Sequence, residues 1–154
     1  MLAVEESKCY MAKPFVRDKD AIQIVPLIIK YKNLLYANNI TLKDTLDDIY
    51  RTIGHYHSIN LSPVFEGAEG QHKIEEIINS FRNKTIHQVC GLDVKAIEDY
   101  QLGTIENIES GEKDATYLPN TNLIRLIFDE GFIAIRPSGT EPKIKIYFSL
   151  NVNN

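Results

Sequence analysis

The sequence predicts an α+β protein, in which a helical N-terminal part precedes a small antiparallel sheet with its own helix. Three observations carry this. Apolar residues recur at helical spacing before Gly54, short alternating runs dominate after Leu92, and Asp129-Glu130-Gly131 joins two of those runs as a compact hairpin signal. With 154 residues, 44% hydrophobic and 25% charged, the chain has globular composition, enough for one good-sized core or two small ones.

The first predicted helix covers Arg17 to Asn39. Asp18 or Asp20 can cap it, where a carboxylate also meets the positive end of the helix dipole. Ile22, Val25, Ile29 and Leu34 form its apolar face. Pro26 predicts a kink or a broken first turn, because an interior proline costs about 3 kcal/mol. Thr41 then caps a second helix, TLKDTLDDIYRTIG, with Asp44 as capping-box partner, Leu42, Leu46, Ile49 and Ile53 as its stripe, and Gly54 as its stop.

Beyond Gly54 the pattern changes. YHSINL is a candidate strand, SPVFEGAEG a loop, and QHKIEEIINSFRN an amphipathic helix with Ile74, Ile77, Ile78 and Phe81 on one side. LDVKAIEDY alternates as a strand does, and GTIENIESGEKDATYLPN is expected to be a long polar loop. NLIRLIF, FIAIR and KIKIYFSL close the chain as three strands.

A net charge of −4 disfavours broad nucleic-acid binding, which needs excess Lys and Arg to displace counterions. The N-terminal MLAVEESKCY has no basic flank or long apolar run, and AIQIVPLII is shorter than the ~20 residues of a membrane span, so a soluble cytoplasmic protein is expected, with no membrane partner. Cys9 and Cys90 are read as reduced thiols, Cys90 as a small packed apolar residue. Tyr31, Tyr36, Tyr50 and Tyr56 are read as helix-packing residues. His55 and His57 fall on one face of a strand, the beginnings of a metal site, but no third ligand is identifiable.

The richest local chemistry lies between the last two strands, in RPSGTEP from Arg136 to Pro142. Arg136 offers a rigid donor fork suited to phosphate, Ser138 and Thr140 add hydroxyls, and Gly139 lets backbone approach a ligand. Successive turn N–H groups make an anion nest, and Pro137 and Pro142 stiffen its ends. Glu141 would repel an anion, so it is expected to face solvent or pair with Lys143 or Lys145. The same residue types also make a rigid strand connection with an arginine at the surface.

RPSGTEPKIKIY resembles the phosphate-binding loop of the α-D-phosphohexomutases, the phosphoglucomutase and phosphomannomutase superfamily. Three more stretches fall in that family's order: EES at Glu5 to Ser7, FVRDKDA at Phe15 to Ala21, and the run from Glu98-Asp99-Tyr100 through LPNTNLIRLIFDEGFIAIRPSGTEPK. The texture is nearest the phosphoglucomutase branch. The resemblance implies that residues 1–58 are a helical remnant of an α/β sugar-recognition domain. It makes residues 59–154 a TATA-box-binding-protein-like domain without its final helix. It implies that Arg136, Ser138, Gly139 and Thr140 hold the non-reacting phosphate of a sugar phosphate, and that Glu5 and Ser7 bind sugar hydroxyls. Where the family's sugar loop carries a glycine, this chain has Lys8-Cys9.

The family's reaction moves a phosphoryl group between a phosphoserine and the sugar through glucose 1,6-bisphosphate, assisted by magnesium. This sequence shows neither a Ser-His-Asn-Pro stretch nor an Asp-x-Asp-x-Asp run. Catalytic residues and metal ligands are therefore expected in missing upstream domains of the same protein. The chain alone is expected to bind phosphosugars weakly and catalyse nothing. A free-standing, non-catalytic phosphosugar-binding module is the competing expectation.

Overall fold

The computed structural model describes residues 3–5, 9–13, 20–139 and 141–151. The chain divides into two compact units, Met1–Ile53 and Gly54–Asn154.

In the first unit, β1 (Ala3–Glu5) pairs antiparallel with β2 (Cys9–Met11). A short 3-10 helix, Ala21–Gln23, follows, and Asp20 caps it by accepting from the Ile22 N–H at 2.9 Å. It leads into α1 (Ile24–Tyr36), so the helix starts later than the spacing predicts. Pro26 thus falls in the first α-helical turn, where N–H groups have few intrahelical acceptors and a proline costs little. Asp18 lies outside the described residues. In α2 (Leu42–Ile53) the capping box forms as expected: the Thr41 N–H donates to Asp44 Oδ2 at 2.8 Å, and the Asp44 N–H donates back to Thr41 Oγ1 at 3.0 Å. Neither helix contains a buried residue. Tyr31 is 45% and Tyr36 79% exposed, against their reading as packing residues, because no described element covers those faces.

The second unit holds β3 (Tyr56–Leu61), α3 (Ala68–Arg82), β4 (Gln88–Val89), β5 (Leu92–Asp93), β6 (Ala96–Asp99), β7 (Thr104–Asn107), β8 (Lys113–Ala115), β9 (Ile124–Phe128), β10 (Gly131–Pro137) and β11 (Ile144–Asn151). Seven of these strands form one antiparallel sheet in the order β3-β11-β10-β9-β6-β7-β8. The α+β class is as predicted. The sequence-based boundary between residues 58 and 59 falls inside β3, which pairs with β11 along its whole length.

The core lies between one sheet face and α3. Ile74 and Ile78 of the helix pack with Ile124, Leu126, Phe128, Ile133, Ile135 and Ile144 of the strands. Helical spacing on one side and strand alternation on the other place all eight on a shared surface. On the opposite face Arg125 bonds Glu98 at 2.9 Å and stacks 4.3 Å above the Phe132 ring.

Three expectations need correction. The region Gly103 to Asn120 is not one long loop but contains the β7–β8 hairpin. Its turn is held by Asn107 Oδ1, which accepts from the Glu109 and Ser110 N–H groups, and Gly111 supplies a φ of 71°. Polar composition hid it, because these strands reach the sheet edge and bury little. The run Leu92 to Tyr100 is interrupted between β5 and β6. Cys90 is exposed at the tip of the β4–β5 turn with a φ of 50°, not packed inside. The His55 and His57 rings lie 4.4 Å apart, tilted by 34°.

Candidate functional site

The β10–β11 connection is clamped at its base before any ligand is considered. Pro137 stands opposite Ile144, the Ser138 N–H donates to the Lys143 carbonyl at 2.9 Å, and the Lys143 N–H donates to the Glu141 carbonyl at 2.8 Å. A third strand of chain braces it from outside. The Ile144 N–H bonds the Pro63 carbonyl at 3.1 Å, the Phe65 N–H bonds the Pro142 carbonyl at 2.8 Å, and Val64 bridges Lys143. Two prolines and four backbone bonds leave little conformational freedom to lose on binding.

Register settles which charges meet. Arg136 lies directly opposite Lys145, and Ile135 opposite Ile146. Because cross-strand partners share a face and neighbours alternate, Arg136 and Lys145 stand together on the face opposite the α3-packed core. Like charges so placed destabilise a sheet by about 0.2–1 kcal/mol unless an anion lies between them. Among the described residues no ion pair engages either cation.

Lys143 is different: it pairs with Glu141 and is 22% exposed. The hydrogen bond from Lys143, then its charge, hold the Glu141 carboxyl below the usual range. The acid in the loop is therefore neutralised internally. The Ser138 N–H is committed to the loop's own backbone. A Cβ placed on Gly139 would meet nothing within 4 Å, so open space lies against its backbone.

Beside the loop, between it and α3, lies an open cleft of about 760 Å³. Gln71, Glu75, Asn79 and Arg82 form one polar stripe of α3 along it, and Ile74 and Ile78 make part of its floor. Gln101, Thr121 and Asn122 form the far wall, and Arg136, Ser138 and Gly139 border the end. Arg82 is held rigidly: Nε donates to Asp99 Oδ2 at 2.8 Å and Nη2 to Asn122 Oδ1 at 2.6 Å. Asp99, 6% exposed, also accepts from the Gln101 and Leu102 N–H groups at 2.9 and 3.1 Å.

Of the residues predicted for the site, Arg136, Ser138 and Gly139 come together in one loop. Thr140 and Ser7 lie outside the described residues. Glu5 ends β1 opposite Cys9, in the other unit, and its side chain is likewise outside the description. Sequence reasoning missed Lys145, whose signal is its position in a hairpin whose register only the structure supplies. It also missed Arg82 and Asn122, which lie far apart in sequence. Among the described residues no group of three or more His, Cys, Asp or Glu side chains could hold a metal ion. No helix among them is long and apolar enough to cross a membrane.

Residues 93–149, which contain the loop and most of the sheet, match the phosphoglucomutase/phosphomannomutase C-terminal domain. The C-terminal region is similar to that domain. Over its full length the chain is 56% identical to a phosphoglucomutase of Staphylococcus saprophyticus and 49% identical to one of Staphylococcus aureus. A phosphoglucomutase of Staphylococcus epidermidis is 50% identical over 97% of the chain. The chain spans 28% of the length of each of these phosphoglucomutases.

Proposed function

We propose that this chain is the C-terminal part of a phosphoglucomutase-type phosphohexomutase, and that its loop grips the substrate phosphate that is not reacting. The observation that carries the reading is the opposed pair of Arg136 and Lys145 beside a neutralised Glu141. A phosphate dianion placed there relieves the repulsion, takes the Arg136 fork bidentately, and accepts from the Ser138 and Thr140 hydroxyls and the Gly139 N–H. The full protein interconverts hexose 1-phosphate and hexose 6-phosphate through a bisphosphate. The loop then holds one phosphate in the first half-reaction and the other in the second. Its contacts are accordingly to phosphate oxygens alone.

Phosphoryl transfer depends mostly on positioning and charge stabilisation, so a rigid grip on the idle phosphate contributes by orienting the reacting one. Glu5 and Ser7 serve as acceptors and donors for sugar hydroxyls. The phosphoserine and the magnesium ligands belong to upstream domains of the same cytoplasmic protein, and the isolated chain is inactive. Titration with glucose 1,6-bisphosphate, followed by NMR at the Ser138 to Thr140 amides, tests the reading. Saturable shifts there support it, and unperturbed amides rule it out.

A further inference from the structure

Two histidines stand at the start of β3, His57 within the strand and His55 immediately before it. Residues two apart along a strand share one face and stand about 6.8 Å apart. The two imidazole centroids are only 4.4 Å apart, with the ring planes tilted by 34°, so the rings lean together. Two nitrogens bound to one tetrahedral ion, each at about 2.0–2.1 Å, lie roughly 3.3 Å from each other. Small side-chain rotations reach that separation from the observed one. The pair lies at the other end of β11 from the phosphate loop, since His57 stands opposite Leu150 and the loop precedes Ile144.

The surroundings favour a cation. From Gly54 to Phe65 the chain carries no Lys or Arg. Glu130 sits at the same end of the sheet. Its carbonyl accepts from the Asn151 N–H at 2.7 Å, and Asn151 is the cross-strand partner of Tyr56, the residue between the histidines. The Glu130 side chain is exposed, with no ion pair among the described residues, and its carboxylate adds an attractive field.

We propose that His55 and His57 form a two-ligand site for a divalent transition-metal ion of the zinc or copper class. Imidazole suits these ions, whereas magnesium takes oxygen ligands. Each ring gives the metal one nitrogen and keeps the other for a protein partner, the usual arrangement at histidine–metal sites. Among the described residues no third His, Cys, Asp or Glu completes the set, so water fills the remaining positions.

Titration of the full chain with zinc chloride, followed by NMR of the histidine rings, tests the site. His55 and His57 should shift together and saturably, and magnesium chloride should leave both in place. Calorimetry should show Cu2+ binding more tightly than Zn2+. His57→Ala should weaken the Zn2+ response read at the His55 ring by about a hundredfold, the upper end of what losing a metal ligand's own hydrogen-bond partner costs. His55→Ala, read at His57, serves as a second variant if the first fails to fold. His72→Ala, which removes a separate pair with Glu76 on α3, should leave the response intact. Unmoved His55 and His57 rings overturn the site. So does an unchanged Zn2+ affinity at His55 in folded His57→Ala, or a response that His72→Ala abolishes.

Discussion

Arg136 and Lys145 stand directly opposite one another across β10 and β11, two cations on one sheet face, neither of them in an ion pair among the described residues. Such a pair costs stability in the free chain and is useful only when an anion arrives. Replacing Lys145 by Met should therefore raise the urea midpoint at low salt, by an amount equivalent to about 0.2–1 kcal/mol. The same variant should bind inorganic phosphate less tightly. Unchanged phosphate affinity would remove Lys145 from the site.

Arg136→Ala should weaken sugar-phosphate binding by about 1.5–3 kcal/mol, the contribution of a charged hydrogen bond. Arg136→Lys should restore only part, because an ammonium lacks the bidentate fork. Calorimetric titration of the full-length protein with glucose 1-phosphate checks both. Full recovery in the lysine variant would mean that charge alone matters.

Gly139→Ala separates folding from binding. The added methyl meets no atom within 4 Å, and Gly139 is absent from the positive-φ glycines, so the urea midpoint should stay within about 0.5 kcal/mol of the parent. Phosphate affinity should nonetheless fall, since the methyl occupies space a ligand needs. Equal phosphate affinity would show that the ligand approaches from elsewhere.

Asp99→Ala removes the acceptor shared by Arg82 and two backbone N–H groups. It leaves a mostly buried guanidinium unpaired, so destabilisation of about 3–5 kcal/mol is expected in urea unfolding. Asp99→Asn should cost less, because it still accepts hydrogen bonds.

Glu141 gives the loop a pH dependence. Its folded carboxyl titrates below the 4.5 of a free glutamate, through the Lys143 hydrogen bond and charge. A depressed folded pKa means that its stabilising contribution is complete above the unfolded value and is lost as pH falls through the folded one. The Glu141 carboxyl resonance should show an acid-shifted midpoint, and Lys143→Met should return it towards the ordinary range. A midpoint unmoved by that substitution would contradict the pair.

Local rules carried much of the fold. The Thr41–Asp44 box, the Asp20 cap and the alternation in β9 to β11 follow from short-range chemistry, so each was legible from neighbouring residues. The β7–β8 hairpin was not, because edge strands need few apolar residues to earn their place. The cap at Asp20 also shows how Pro26 is tolerated: a 3-10 turn precedes it, a detail that no propensity specifies.

The loop RPSGTEP was legible as a candidate phosphate loop from its residue types and the family resemblance, since arginine, hydroxyls, glycine and prolines are local properties. Which charges oppose or cancel one another was not. Strand register put Lys145 against Arg136, and the loop's own turn put Lys143 on Glu141. Packing of α3 against the sheet joined Arg82 to Asp99 and Asn122 and lined the cleft with amides. Residue identity determines what a side chain can bond, whereas only the folded backbone decides which partners come within reach.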